Sequence, residues 1–127
     1  MDTYYELLVS AKDAEMISSV VADNNVEHEA ADALAEVVRE ARLVADEELP
    51  ANRVAMNSRV TYREGRGTER KVSLVHPRDA DPAALRISVL SPVGRALLGR
   101  REGSIITASL PGGRGIELRI LDVERAP

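Results

Sequence analysis

The sequence predicts an α+β protein: a short antiparallel helical hairpin, then a mostly antiparallel five-stranded sheet that carries one short helix. Three observations lead there. Apolar residues recur at helical spacing as far as Ala45. After Pro50 the apolar period falls to two. Within that strand-like half, Ser91 to Gly99 (SPVGRALLG) carries a cap, an opening proline and a closing glycine, the punctuation of a helix about two turns long. The expected division is residues 1–49 for the hairpin, a short coiled coil, and residues 50–127 for the sheet domain.

The first helix is expected from Ser10 to Asp23. Ser10-Ala-Lys-Asp13 has the form of a capping box, a hydroxyl followed three residues later by an acid. Ala14, Ile17 and Val21 follow at helical spacing, and Asp23-Asn24-Asn25 suits a turn. The second helix is expected from about Glu27 to Ala45, with Ala30, Leu34, Val37, Ala41 and Val44 forming a two-position heptad seam. Pro50 cannot continue a helix, so the chain must change structure before it.

Five strands follow. Val60 and Tyr62 alternate with polar neighbours, as do Val72, Leu74 and His76, then Leu85, Ile87 and Val89. Ile106, Ala108 and Leu110 form the fourth set, and Ile116, Leu118 and Ile120 the fifth. The last strand changes phase at Leu121 and Val123, which predicts a bulge or a switch of faces. Between them lie the turn sequences EGRG, HPRDADP and PGGRG. Ser91 is the expected N-cap of the short helix, Pro92 its first residue and Gly99 the left-handed residue that stops it. Val93, Ala96 and Leu97 share one side and would pack on the sheet.

Composition bounds function. The 127 residues carry a net charge of −4, and no run approaches the length of a membrane span. The absence of cysteine excludes disulfides, thiolate metal sites and cysteine nucleophiles. An acidic opening, MDTYYELLV, does not suit a secretory signal, so a cytoplasmic location is expected. The aromatics are Tyr4, Tyr5 and Tyr62, so the core must be aliphatic and base-stacking platforms are scarce. Charge is unevenly spread: residues 1–56 carry 13 acids against 4 basic residues, a net of −9, whereas residues 57–127 carry a net of +5. Such contrast bears on association and partner choice.

Few residues suggest catalysis, and neither an enzyme nor a cofactor site is expected. His76 lies on an apolar strand face, and His28 stands among Glu27 and Glu29 without the convergent ligands a metal needs. PGGRG lacks the lysine-hydroxyl ending of a phosphate loop, and a hairpin turn accounts for it. No serine has the setting of a hydrolase nucleophile. Asp23, Glu27 and Glu29 cluster at the expected hairpin tip. Acids there suit the positive end of a helix dipole, and oxygen ligands of this kind also suit Mg²⁺.

MNSRV (56–60), ISVLSPVGRALLGRREGSI (87–105) and SLPGGRGIELRILDVE (109–124), behind an acidic helical hairpin, resemble the Gre transcription elongation factor superfamily. The match is to its regulator of nucleoside diphosphate kinase branch. The resemblance is strongest over Met56 to Val123; over the hairpin it rests on length, polarity and EELP (47–50). It implies a C-terminal domain of the FK506-binding-protein type, and a partner, RNA polymerase, bound beside the secondary channel through that domain while the hairpin enters. Carried onto this sequence, the docking residues are Ser88, Leu90, Ser91 and Pro92, with Arg95 beside them. Leu90 stands where Gre proteins usually place an acid or amide.

The Gre proteins present two acids at the tip of a long arm and help polymerase cleave backtracked RNA. The helices expected here are roughly 21 and 28 Å long, so the resemblance implies channel occupancy without strong cleavage stimulation. The alternatives are a cleavage factor presenting Mg²⁺ through Asp23 and Glu27, and, from the branch name, a modulator of nucleoside diphosphate kinase. A prolyl isomerase requires an aromatic-lined pocket, for which this half offers only Tyr62.

Overall fold

The computed structural model describes residues 7–126. Its first strand is β1 (Leu8–Ser10), followed by helices α1 (Ala11–Val21) and α2 (His28–Glu40) and strand β2 (Arg42–Val44). After a 3₁₀ turn at Asp46–Glu48 come β3 (Arg59–Glu64) and β4 (Glu69–Val75). Two further 3₁₀ turns, Pro77–Asp79 and Pro82–Ala84, lead to β5 (Arg86–Ser88). Helix α3 (Pro92–Leu97) and strands β6 (Ile105–Ser109) and β7 (Gly115–Glu124) complete the chain.

Helix α1 starts as its sequence directs. Ser10 is the N-cap, and its Oγ accepts from the Asp13 backbone N–H at 3.1 Å. The Asp13 carboxylate does not close the box. It reaches across the chain, and Oδ2 accepts from the Met56 N–H at 3.0 Å. The helix runs out at Asp23, whose Oδ1 accepts from Asn25 N–H at 2.9 Å, an Asx turn.

Helix α2 is shorter than the heptad seam predicts. It ends at Glu40, and Ala41 is extended at φ −78°, ψ 151°. Residues 42–44 instead pair in parallel with β1, in the register Leu8↔Arg42, Val9↔Leu43 and Ser10↔Val44. The Arg42 N–H donates to the Leu7 carbonyl at 3.0 Å, so a non-local strand edge replaces the last helical turn. Ala31 and Leu34 are the buried residues of α2; Ala30, Val37, Ala41 and Val44 are half-buried.

The large sheet has the order β5-β4-β3-β7-β6. It is mixed, not antiparallel throughout: β5 runs parallel to β4, pairing Ser73↔Arg86, Leu74↔Ile87 and Val75↔Ser88. The reason is the connection. Residues 76–85 turn twice, and Leu85 takes a left-handed backbone at φ 59°, so the chain re-enters the sheet in the same direction. Leu85 consequently points outward, 56% exposed, whereas the alternation predicted it inward. His76 is likewise off the strand, capping the Pro77 turn with Nδ1 accepting from Arg78 N–H at 3.1 Å.

Of the two readings of the phase change in β7, the bulge is the one present. Thr61 pairs with Asp122 and Tyr62 with Ile120, which leaves Leu121 as the extra residue. Its effect is to bury Val123 on the same side as Leu118 and Ile120. Those residues join Val60, Leu74, Leu97 and Leu98 in one aliphatic cluster, and Ile17, Val20 and Leu34 from α1 and α2 belong to it too.

Gly99 is the junction of these parts. It is left-handed at φ 78°, as its closing position predicts. Its carbonyl accepts from Leu8 N–H at 3.1 Å and from the buried Arg53 guanidinium at 3.0 Å. Its own N–H donates to Val54 at 2.9 Å. A Cβ on Gly99 would lie 2.9 Å from the Leu8 carbonyl oxygen, so the close approach of β1 also requires glycine.

Candidate functional site

Helix α3 is anchored by a compact knot of hydrogen bonds at its entrance. Ser91 is the N-cap: its Oγ accepts from Gly94 N–H at 3.0 Å and donates to the Ser88 carbonyl at 2.7 Å. The Ser88 carbonyl also accepts from Ser91 N–H at 3.0 Å, and the Ser88 hydroxyl accepts from Leu90 N–H at 3.0 Å. Arg95 closes the loop by donating from Nη1 to the Leu90 carbonyl. Pro92 supplies the first helical residue, where its missing N–H leaves nothing unsatisfied. Ser88, Leu90, Ser91, Pro92 and Arg95 thus form one rigid turn.

That turn borders a cleft of about 400 Å³ shared with α2. Leu90, Pro92 and Arg95 line it from one side, Glu27 and Glu29 from the other. The structure therefore brings two groups distant in sequence, the α3 entrance and two of the three tip acids, to a single depression. Glu27 is fixed there as the N-cap of α2, its carboxylate accepting from Glu29 N–H at 3.1 Å. Asp23 is not among the lining residues; its carboxylate is engaged in the turn. Ser88 and Ser91 stand behind the lining and hold it in shape.

The remaining lining residues, among them Ala30, Ala33, Leu110 and Pro111, are not ones the sequence marks as site residues. Leu110 and Pro111 belong to the β6–β7 connection, which lies in a stretch that carries the family resemblance but whose chemistry reads as a hairpin turn. The packing of α3 against β6, and of α2 against α3, places them here. Among the described residues, no group of three or more His, Asp or Glu side chains is placed to hold a metal ion. Nor is any helix of the described residues long and apolar enough to cross a membrane.

An α+β chain with a curled mixed sheet and one short capped helix at its edge is the arrangement of the Gre C-terminal fold. Residues 49–125 match the family described as "Transcription elongation factor, GreA/GreB, C-term", and the chain belongs to that family. Within the superfamily its similarity is to the regulator of nucleoside diphosphate kinase branch. The Escherichia coli (strain K12) protein named "Regulator of nucleoside diphosphate kinase" is 41% identical over 98 residues, 76% of this chain and 72% of that protein. A GreA transcription elongation factor from Flavobacterium johnsoniae is 36% identical over 93 residues, and the match spans 72% of this chain and only 58% of that protein. Among solved structures, a GreA/GreB elongation factor from Nitrosomonas europaea superposes with a TM-score of 0.74 at 34% identity. That superposition covers 94% of this chain and 98% of the other. The chain is a Gre-superfamily, transcription-associated regulator.

Proposed function

We propose that this protein is a non-enzymatic regulator that binds RNA polymerase at its secondary channel. In this reading residues 50–127 form a docking domain of the FK506-binding-protein type, and residues 1–49 form a short acidic arm directed into the channel. The observation that carries it is the turn from Ser88 to Arg95, locked by its own hydrogen bonds within the family-matched residues. A rigid turn presents Leu90 and Pro92 without ordering cost on binding, which favours affinity.

The arm's length supports weak cleavage stimulation. Helices of 11 and 13 residues extend roughly 17 and 20 Å, too short for a long-armed factor's reach. The net charge of −9 on residues 1–56 suits a basic channel.

Retention of core polymerase on the immobilised protein at low salt tests the docking step. Replacing Pro92 is expected to weaken retention more than replacing Asp23, and the reverse order counts against the assignment. Transcript cleavage by stalled complexes, with and without Asp23→Asn, tests the absence of strong stimulation. The name of the Escherichia coli relative supports a second reading, modulation of nucleoside diphosphate kinase. A direct titration against that kinase decides it.

A further inference from the structure

We propose that the rim of the sheet at the β3–β4 turn is a phosphate-binding site, formed by Arg63, Arg66 and Arg119 and independent of the polymerase docking turn. Arg63 on β3 and Arg119 on β7 are directly opposed in the antiparallel register. Arg66, in the exposed turn beyond β3, brings a third guanidinium to the same open cleft of about 620 Å³. Gly65 and Glu117 complete the lining, with the Gly65 N–H donating to the Glu117 carbonyl at 2.9 Å.

Like charges directly opposite across two strands are unfavourable unless something lies between them. Counter-ions within the chain are few. Arg63 is paired with Glu69 at 3.1 Å, but among the described residues no carboxylate forms an ion pair with Arg66 or Arg119. Glu117 is the single acidic residue in a lining that holds three arginines, so a surplus of positive charge remains. Guanidinium forks match phosphate oxygens in geometry as well as charge, and a phosphate between the three relieves the repulsion.

The source of the phosphate favoured by the setting is a single-stranded nucleic-acid backbone. The cleft is open to solvent, and Arg59, outside its lining, stands two alternating positions back along β3 and is exposed. Tyr62 is buried in the core, so among the described residues no aromatic ring is available there to stack on a base. Recognition is therefore through phosphate, independent of base sequence and strongly salt-dependent.

The test is fluorescence anisotropy of a labelled single-stranded RNA of on the order of a dozen nucleotides, titrated with the full chain. Inorganic pyrophosphate is the competitor. Binding is expected at low salt and is lost as salt rises. Arg63→Gln/Arg119→Gln should weaken it about tenfold and reduce the salt slope by about 0.7 for each phosphate contact removed. Arg66→Gln alone, in an exposed turn, should show the same direction and keeps the test open if the double variant folds poorly. Arg78→Gln, on the Pro77 turn outside the cleft, should leave binding unchanged. Pyrophosphate binding measured by calorimetry and weakened by the same arginine substitutions, with no RNA binding, supports the phosphate site and assigns it to a small phosphate ester. Absence of both, or binding unchanged by the arginine substitutions, overturns the proposal.

Discussion

Gly94 lies against the carbonyl of Ser88 so closely that a Cβ on Gly94 would sit 2.1 Å from the Ser88 oxygen. That oxygen already accepts from the Ser91 backbone and hydroxyl, so neither partner has room to yield. Gly94→Ala must displace α3 from β5. The expected loss is about 2–3 kcal/mol of stability, the range of core overpacking. Gly103→Ala is the comparison, since Gly103 has open space around it and only a left-handed backbone at φ 92° to oppose the change. Its loss should be about 1 kcal/mol. Urea midpoints of the two variants give the order, and a larger effect at Gly103 would contradict the close approach.

Ser91→Ala removes the oxygen that caps α3 and ties it to Ser88. Loss of such a cap costs about 1–2 kcal/mol. The same change loosens the turn carrying Leu90 and Pro92, so retention of polymerase should fall by more than the stability loss alone accounts for. Ser91→Thr preserves the oxygen and should recover most of both. Equal retention by all three proteins would separate the knot from docking.

Most of the architecture was legible because it is written in local pattern. The Ser10 and Ser91 caps, the Gly99 stop, the five strands and the Leu121 bulge each follow from a few neighbouring residues. What escaped is non-local. Arg42-Leu43-Val44 continues the heptad pattern of α2, yet becomes a strand because Leu8–Ser10 offers an edge more than thirty residues away. The parallel entry of β5 depends on a left-handed Leu85 that no propensity favours. Of the candidate site, the α3 entrance was visible as a helix start. Its proximity to Glu27 and Glu29 was not, because it depends on how α2 packs.

Asp13 is the link between α1 and the segment leading into β3. Its carboxylate accepts the N–H of Met56, a buried residue, and its own N–H is held by Ser10. Asp13→Ala leaves a buried donor unsatisfied, a loss of about 1–3 kcal/mol. Asp13→Asn keeps an oxygen acceptor and should lose less than half as much. A double variant with Ser10→Ala should fall short of the sum, because both changes release the same first turn. Additivity measured in urea would show that the two bonds act independently.

Tyr62 gives the fold an alkaline limit. The ring is buried in the aliphatic cluster. Burial first, and the nearby Glu64 carboxylate second, push its hydroxyl above the ordinary value of 10.0, while Arg70 pulls partly the other way. The folded chain therefore keeps the Tyr62 proton at pH values where the unfolded chain has released it. Stability from this group is fully present below about pH 10 and is lost as pH rises through the unfolded and then the folded value. Tyr62→Phe fills nearly the same space without an ionisable group. The difference in urea midpoint between the two proteins should be constant from neutral pH to about pH 9 and then shift in favour of the phenylalanine variant toward about pH 11. Titrations common to both chains cancel in that difference, leaving the contribution of the one hydroxyl. A difference that stays flat across the whole range would show that the Tyr62 hydroxyl titrates alike in the folded and unfolded chains.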